Sequence, residues 1–181
     1  MKCLTEKRGK IMEIRQSTPK DYDAIHDFVW LAFQTAEMPF DNEHEAVRRW
    51  RASDNYIPEL ELVAEENGEI IGHIMFQKLY IKNDNSEFVG LLLAPLAVKL
   101  EYRNKGIGEK LVYAGFEKAK GLGYSSAFLA GNPKYYNRFG FKEIGEFGLE
   151  NKTEIPNQFV LGCEIIDGSL EKSSGYIDDL E

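Results

Sequence analysis

Only two cysteines occur in the chain, Cys3 and Cys163, far apart and in no C-x-x-C pair. A disulfide framework and a zinc ribbon are excluded, and the usage suits a reducing cytoplasm. Histidine is also sparse: His26, His44 and His73 show no metal-ligand spacing, so no metal is expected. No apolar run approaches the ~20 residues of a membrane helix. The opening stretch MKCLTEKRGKIMEIRQ is charged where a secretory signal would be apolar. A G-x-S-x-G elbow is missing, which removes the serine-hydrolase reading. Basic residues are outnumbered, 22 against 30 acidic, for a net charge of -8. Neither bulk charge nor an aromatic-basic platform is present to grip nucleic acid.

What remains is a globular composition, 181 residues with 43% hydrophobic and 29% charged, the size of one domain. Residues 1–11 are patternless and read as a tail, with Met12 a second candidate start. Met12 to Gln16 alternates as a first strand. Thr18-Pro19 and Asp21 supply a helix start, and Tyr22, Ile25, Val29, Ala32 and Phe33 follow at helical spacing. A second helix is predicted from about Asp41 or Asn42 through Trp50. Two strands, Leu60 to Glu66 and Glu69 to Tyr80, flank Asn67-Gly68, the strongest short hairpin signal. Phe88 to Val98 is a strand too apolar to have a wet face. Pro95 inside it removes a ladder donor, which predicts a bulge or splay.

A helix from Ile107 to about Leu122 should bury Ile107, Leu111, Ala114 and Ala119. The strand Ser125 to Ala130 follows it, making a right-handed parallel βαβ unit. A short helix over Pro133 to Phe139, a strand from Gly140 to Ile144 and a closing strand over Phe159 to Ile166 complete the pattern. The expected fold is mixed α/β: a mostly antiparallel sheet of about seven strands with one parallel crossover, and helices on both faces. The domain is expected over 12–166, followed by an acidic tail over 167–181.

Charge is unevenly spread. Lys99 to Lys120 carries six basic residues against three acidic, around Arg103-Asn104-Lys105-Gly106-Ile107-Gly108. That loop is no Walker A motif, because Glu109 follows Gly108 and Leu111 follows Lys110. It is no dinucleotide fingerprint either, because Leu111 stands where the third glycine belongs. Two glycines opening a helix after a buried strand let backbone N–H groups approach an anion, and the helix end adds about half a positive charge. This describes a pyrophosphate cradle, although any helix start with two glycines shares these features.

The run PLAV, KLEY, RNKGIGEKL, followed by a strand and then Tyr135-Tyr136-Asn137-Arg138-Phe139-Gly140-Phe141, resembles the GNAT superfamily of acyl-CoA-dependent N-acyltransferases. The resemblance covers roughly Met12 to Cys163. It implies a splay between the strand of Leu96, Ala97 and Val98 and the strand Ser126 to Leu129. The pantetheine arm of acetyl-CoA would enter there, and N–H groups freed at the Pro95 bulge would polarise the thioester carbonyl. The amides of Arg103, Asn104, Lys105, Gly106, Ile107, Gly108 and Glu109 would take the pyrophosphate. Tyr136 matches the tyrosine that protonates the departing thiolate, although an aromatic packed beside Phe139 and Phe141 would look the same.

Two departures stand out. Leu129 occupies the place of an early Asn that contacts the pantetheine arm in many relatives, and Asn132 is a substitute. Leu92 occupies the place of the general-base Glu of some relatives. Glu37 and His73 are the remaining candidates for a base, although a loop Glu is more often solvated and a strand His more often structural. Cys163 has no motif role, so a covalent acyl intermediate is not expected. The resemblance implies a cytoplasmic N-acetyltransferase using direct attack by a primary amine. Its partners would be a small-molecule or peptide amine acceptor, allowing for a homodimer, with neither membrane nor nucleic acid. Glu37, Asp41, Glu43 and Glu45 would suit a cationic amine, although a solvated helix start explains them as well. The alternative is a CoA-binding sensor or assembly module on the same fold.

Overall fold

The computed structural model describes residues 12–34, 43–83 and 86–180 of the chain. The elements follow in the order β1 (Met12–Gln16), α1 (Tyr22–Phe33), α2 (Glu43–Arg51), β2 (Tyr56–Glu66), β3 (Glu69–Asn83), β4 (Ser86–Val98), α3 (Ile107–Gly121), β5 (Ser126–Ala130), α4 (Pro133–Tyr136), β6 (Lys142–Glu143), β7 (Leu149–Asn151), β8 (Val160–Glu164) and β9 (Gly175–Ile177). One sheet runs β1-β2-β3-β4-β5-β8-β6, with β9 joining β3 and β7 off that path. Among the described strands, only β4–β5 and β7–β9 are parallel.

Local chemistry accounts for most boundaries. Asn67 and Gly68 both take positive φ, 54° and 82°, the pair that a type I′ hairpin turn requires. Ahead of α1, the Asp21 carboxylate accepts from the Thr18 backbone N–H at 2.8 Å, while Arg15 grips it bidentately. Helix α3 buries Ile107, Leu111 and Ala119 as its periodicity predicts, with Ala114 partly buried against the same core.

The sheet is covered on both faces. On one, Leu111, Val112 and Phe116 of α3 pack against Ile74, Phe76, Leu91 and Leu93. On the other, Ile25 and Val29 of α1 meet Val63 and Ala97, and Val47 and Trp50 of α2 meet Met75. Further along that second face, Leu79, Ile81 and Leu92 lie under Leu149, Val160, Leu170 and Ile177.

Three expectations need correction. Among the described residues the sheet has nine strands rather than about seven, because the three-residue strands β7 and β9 are too short to show a period. The strand expected over Gly140 to Ile144 shrinks to Lys142–Glu143, since Ile144–Phe147 turns as a 3-10 helix. Residues 167–181 are not merely a tail. Leu170 and Ile177 are buried, and Tyr176 pairs with Lys82 of β3, where β2 has already ended its own pairing at Tyr56↔Gln77. Acidic composition masked a segment whose few apolar residues are inward. The 1–11 tail, Asp41 and Asn42 as helix start, and Glu37 lie outside the described residues.

Candidate active site

Strand β4 bends where Pro95 sits. Ile74 pairs with Leu96 and Phe76 with Leu93, so Ala94 and Pro95 together oppose Met75 alone. This is the expected bulge, with two residues against one. On the other side of β4 the parallel ladder to β5 lasts only through Leu91↔Ala127 and Leu92↔Phe128. Beyond Leu92 the strands diverge into a V.

A cleft of about 420 Å³ fills that V. The last residues of β4 through Val98, the start of α3, the end of β5 and the aromatic helix after it form its walls. Ala32 and Phe33 at the end of α1 close one side. Leu96, Ala97, Val98, Arg103, Asn104, Gly106, Ile107, Gly108, Glu109, Asn132 and Tyr136 all line this one space. Residues more than thirty positions apart in sequence thus meet in one space. Lys105 does not line it; its ammonium lies 5.1 Å above the Tyr102 ring.

The glycine loop sets the open end of α3 against the cleft. Asn104 and Gly106 take positive φ, 59° and 77°, and turn the chain sharply into α3. The first intrahelical bond runs from Lys110 N–H to Gly106 O at 3.1 Å, and among the described residues no side chain caps the helix. The N–H groups of Ile107, Gly108 and Glu109 therefore lie at the open helix end, beside the cleft. Arg103 has a bracing role: its Nε donates to Val98 O at 3.1 Å and its Nη2 to Ala32 O at 2.8 Å. It fastens the end of β4 to the end of α1.

Tyr136 is half-buried at the opposite wall, its ring edge-on to Tyr135 at 4.9 Å and to Phe141 at 5.7 Å. Burial pushes the neighbouring Tyr135 phenol above its ordinary value of 10.0. Asn132 uses its side-chain oxygen to cap α4, accepting from Lys134 N–H at 3.0 Å. One charged cleft residue escaped the sequence reading. Arg138 stacks on Tyr135 with its guanidinium carbon 4.7 Å from the ring centre, and so presents a cation at the mouth. It sat two positions past Tyr136 in the quoted motif, which was its only signal.

His73 is not brought to the cleft. It is fully buried on β3, opposite Ala97, on the face covered by α1. Its Nε2 lies 2.9 Å from Glu61 Oε1. A carboxylate only accepts, so this nitrogen carries the proton. Glu61, also fully buried, accepts as well from Tyr56 Oη at 2.6 Å and from Arg51 through both Nε, at 3.1 Å, and Nη2. These donors, with His73 and Arg51 leading, hold the Glu61 carboxyl down at about 2 despite the opposing effect of burial. The adjacent carboxylate and burial together drive the Tyr56 phenol far upward. Sequence alone could not single out Glu61 among the acidic residues of a strand ending ELELVAEE. Burial pushes the Cys163 thiol up to about 12, which leaves it inert.

A family model described as the acetyltransferase (GNAT) domain matches residues 13–144. The chain belongs to the GNAT family. The uncharacterised N-acetyltransferase YhbS of Escherichia coli (strain K12) is 30% identical over 168 residues, covering 92% of this chain and 95% of its own length. YjhQ of the same organism, also an uncharacterised N-acetyltransferase, is 31% identical over 126 residues, 69% of this chain and 70% of its own. The crystal structure of E. coli YhbS in complex with CoA aligns with a TM-score of 0.81 at 26% identity, over 92% of this chain and 88% of that one. A GNAT acetyltransferase from Brucella melitensis in complex with acetyl-CoA aligns at 0.66 with 35% identity, over 73% and 83%. The GNAT fold brings acyl-CoA-dependent acetyltransferase chemistry in general, on a scaffold that binds CoA.

The two glycines of the loop should respond differently to alanine. Nothing lies within 4 Å of a Cβ added at Gly106, but its φ of +77° is left-handed, so Gly106→Ala should cost ~1–2 kcal/mol of stability. At Gly108 the backbone is helical, and the added Cβ would overlap the Tyr135 hydroxyl inside the cleft. Gly108→Ala should keep its Tm within a few degrees while weakening CoA binding by about 1–3 kcal/mol as phosphate hydrogen bonds are lost. Thermal melts with calorimetric CoA titration separate the two. Normal CoA affinity in Gly108→Ala would remove the anion-cradle reading.

Proposed function

We propose that this chain transfers the acetyl group of acetyl-CoA to a primary amine of a small-molecule or peptide acceptor, by direct attack within a ternary complex. The observation that carries the reading is the convergence in one cleft of the diverging β4 edge, the uncapped start of α3 and Tyr136. The complexes of YhbS with CoA and of the Brucella enzyme with acetyl-CoA support it by similarity. The amides of residues 104–109 would hold the pyrophosphate, and the β4 edge past Leu92 would pair with the pantetheine amides. The bound thioester supplies the acyl group.

Each residue then has a limited task. The new C–N bond forms as the C–S bond breaks, and the amine loses a proton as the sulfur gains one. Of the tyrosines lining the cleft, Tyr136 is the one assigned to protonate the sulfur. Arg138 offers its charge to the phosphates at the mouth. Among the described residues of the cleft, the only carboxylate is Glu109, at the pyrophosphate end. A deprotonating side chain at the acetyl end is therefore not provided by them, and Leu92 is packed under Val160 and Ile144. The amine would arrive neutral, or lose its proton through water.

That shortage favours a second reading, a CoA-binding sensor on the same fold. Purified protein with acetyl-CoA, assayed for thiol release against simple amines, amino acids, polyamines and aminoglycosides, decides between them. Acceptor-dependent release supports the transferase. Tight CoA binding with no release on any amine supports the sensor.

A further inference from the structure

Away from the cleft, α1 and α2 lie side by side and bring one side chain of α1 to an adjacent pair on α2. His26 comes from α1, and His44 and Glu45 from the first turn of α2; their ligand atoms lie within 4.8 Å of one another. His26 Nε2 is 3.2 Å from Glu45 Oε1. His44 Nε2 turns toward that same oxygen from 3.9 Å, and the two imidazoles meet edge to face with centres 4.9 Å apart. The other nitrogen of His26, Nδ1, is 3.2 Å from Asp27 Oδ1.

This arrangement has one acceptor too many. A neutral imidazole carries a single N–H, yet both nitrogens of His26 face carboxylate oxygens, which only accept. A positive charge between one nitrogen and its oxygen, a second proton or a metal ion, would satisfy both contacts, although water also reaches the exposed Asp27. A proton on His26 would satisfy His26 alone. It leaves unexplained why His44 aims at the shared oxygen from beyond hydrogen-bond range. An ion bound at 2.0–2.1 Å by nitrogen and oxygen ligands needs spacings of about 3.3 Å between them. The His26–Glu45 spacing of 3.2 Å already meets this, while His44 has to close from 3.9 Å to Glu45 and from within 4.8 Å to His26.

We propose that His26, His44 and Glu45 form a binding site for a divalent transition-metal ion of the Zn²⁺ type, with Asp27 as its positioning residue. Two imidazoles and one carboxylate suit such an ion and not Mg²⁺ or Ca²⁺, which select oxygen. Asp27 accepts from Nδ1–H and so directs the Nε2 lone pair at the metal, the usual carboxylate–histidine–metal relay. Access is direct: the side chains of His26 and His44 are 20% and 19% exposed and that of Glu45 47%. The competing partner, Arg48 at 3.5 Å from Glu45, is solvent-exposed and weakly held. The ion clamps the first turn of α2 to α1, the helix whose far end contributes Ala32 and Phe33 to the cleft. This site is independent of the proposed reaction and stands or falls separately from it.

The test uses untagged full-length protein stripped with EDTA, titrated calorimetrically with ZnCl₂ and followed by Co²⁺ visible absorption. One ion per chain is expected, with a rise in Tm on adding Zn²⁺. His26→Ala and His44→Ala should each weaken binding by about tenfold or more, and Asp27→Asn should fall in the range of about 10–100-fold that such relay partners command. The double histidine variant should lose the zinc-induced rise in Tm. Both positions are on helix surfaces where alanine is well tolerated, and melts in EDTA isolate any packing loss. Absence of saturable uptake would overturn the proposal. So would histidine variants that keep wild-type affinity, or that melt lower in EDTA yet retain the full zinc-induced rise.

Discussion

Glu61→Ala should be among the most destabilising single substitutions in this protein. The carboxylate is fully buried and receives hydrogen bonds from Arg51, Tyr56 and His73, while the Arg51 side chain is itself only 9% exposed. Removing the acid leaves a buried guanidinium without its counter-charge, a loss of about 3–5 kcal/mol. For a chain of this size that corresponds to a fall in Tm of roughly 10 °C. Because Tyr56 also meets Tyr22 of α1, at 3.3 Å between hydroxyls, the network joins both helices to the sheet. Arg51→Ala with Glu61→Ala should cost clearly less than the sum of the two, since no lone charge is then stranded. Additive losses in thermal melts would show that the ion pair is not the source.

The same carboxylate sets an acid limit. Its folded value of about 2 lies below the ordinary 4.5, so its stabilisation is complete above pH 4.5 and is lost as the pH falls toward 2. Asp21, held well below the usual carboxylate range by Arg15, adds loss in the same direction. Urea melts between pH 6 and 3 should show wild-type stability falling more steeply than that of Glu61→Ala. Parallel curves would contradict the assignment.

Tyr136→Phe should behave in the opposite manner, folding normally while turning over poorly. The ring contacts with Tyr135, Phe139 and Phe141 at 4.9, 6.4 and 5.7 Å involve the aromatic edges and faces, which phenylalanine keeps. Only the hydroxyl leaves. If it protonates the departing sulfur, thiol release should slow by ~10²-fold at unchanged Tm and near-native affinity for acetyl-CoA. Turnover at the wild-type rate would return this tyrosine to a packing role.

The cleft was legible in the sequence because its parts are local. A proline in an apolar strand, two glycines at a helix start and an aromatic-glycine run each carry backbone consequences that do not depend on distant partners. Pro95 could be read as a bulge without knowing that Met75 lies across from it. The buried network could not, since Glu61, Arg51, Tyr56 and His73 become exceptional only when the sheet and two helices stack. His26 and His44 are the same case: linear spacing hid a meeting made by helix packing. The last strand was hidden by charge, because Leu170, Tyr176 and Ile177 are too widely spaced among acidic and small residues to form a periodic pattern.

That last strand also bears on how the protein is made. Lys82 of β3 pairs with Tyr176, and Leu79, Ile81 and Leu92 are covered in part by Leu170 and Ile177. On the ribosome, the central hairpin is complete long before these partners emerge, so apolar side chains from the middle of the sheet wait uncovered until Leu170 and Ile177 are made. Pairing across so much intervening chain is slow to form and prone to aggregation while pending. A ribosome that stops early would release a chain with its central strands made and one patch of their surface still bare, the kind of product that chaperones and proteases must clear.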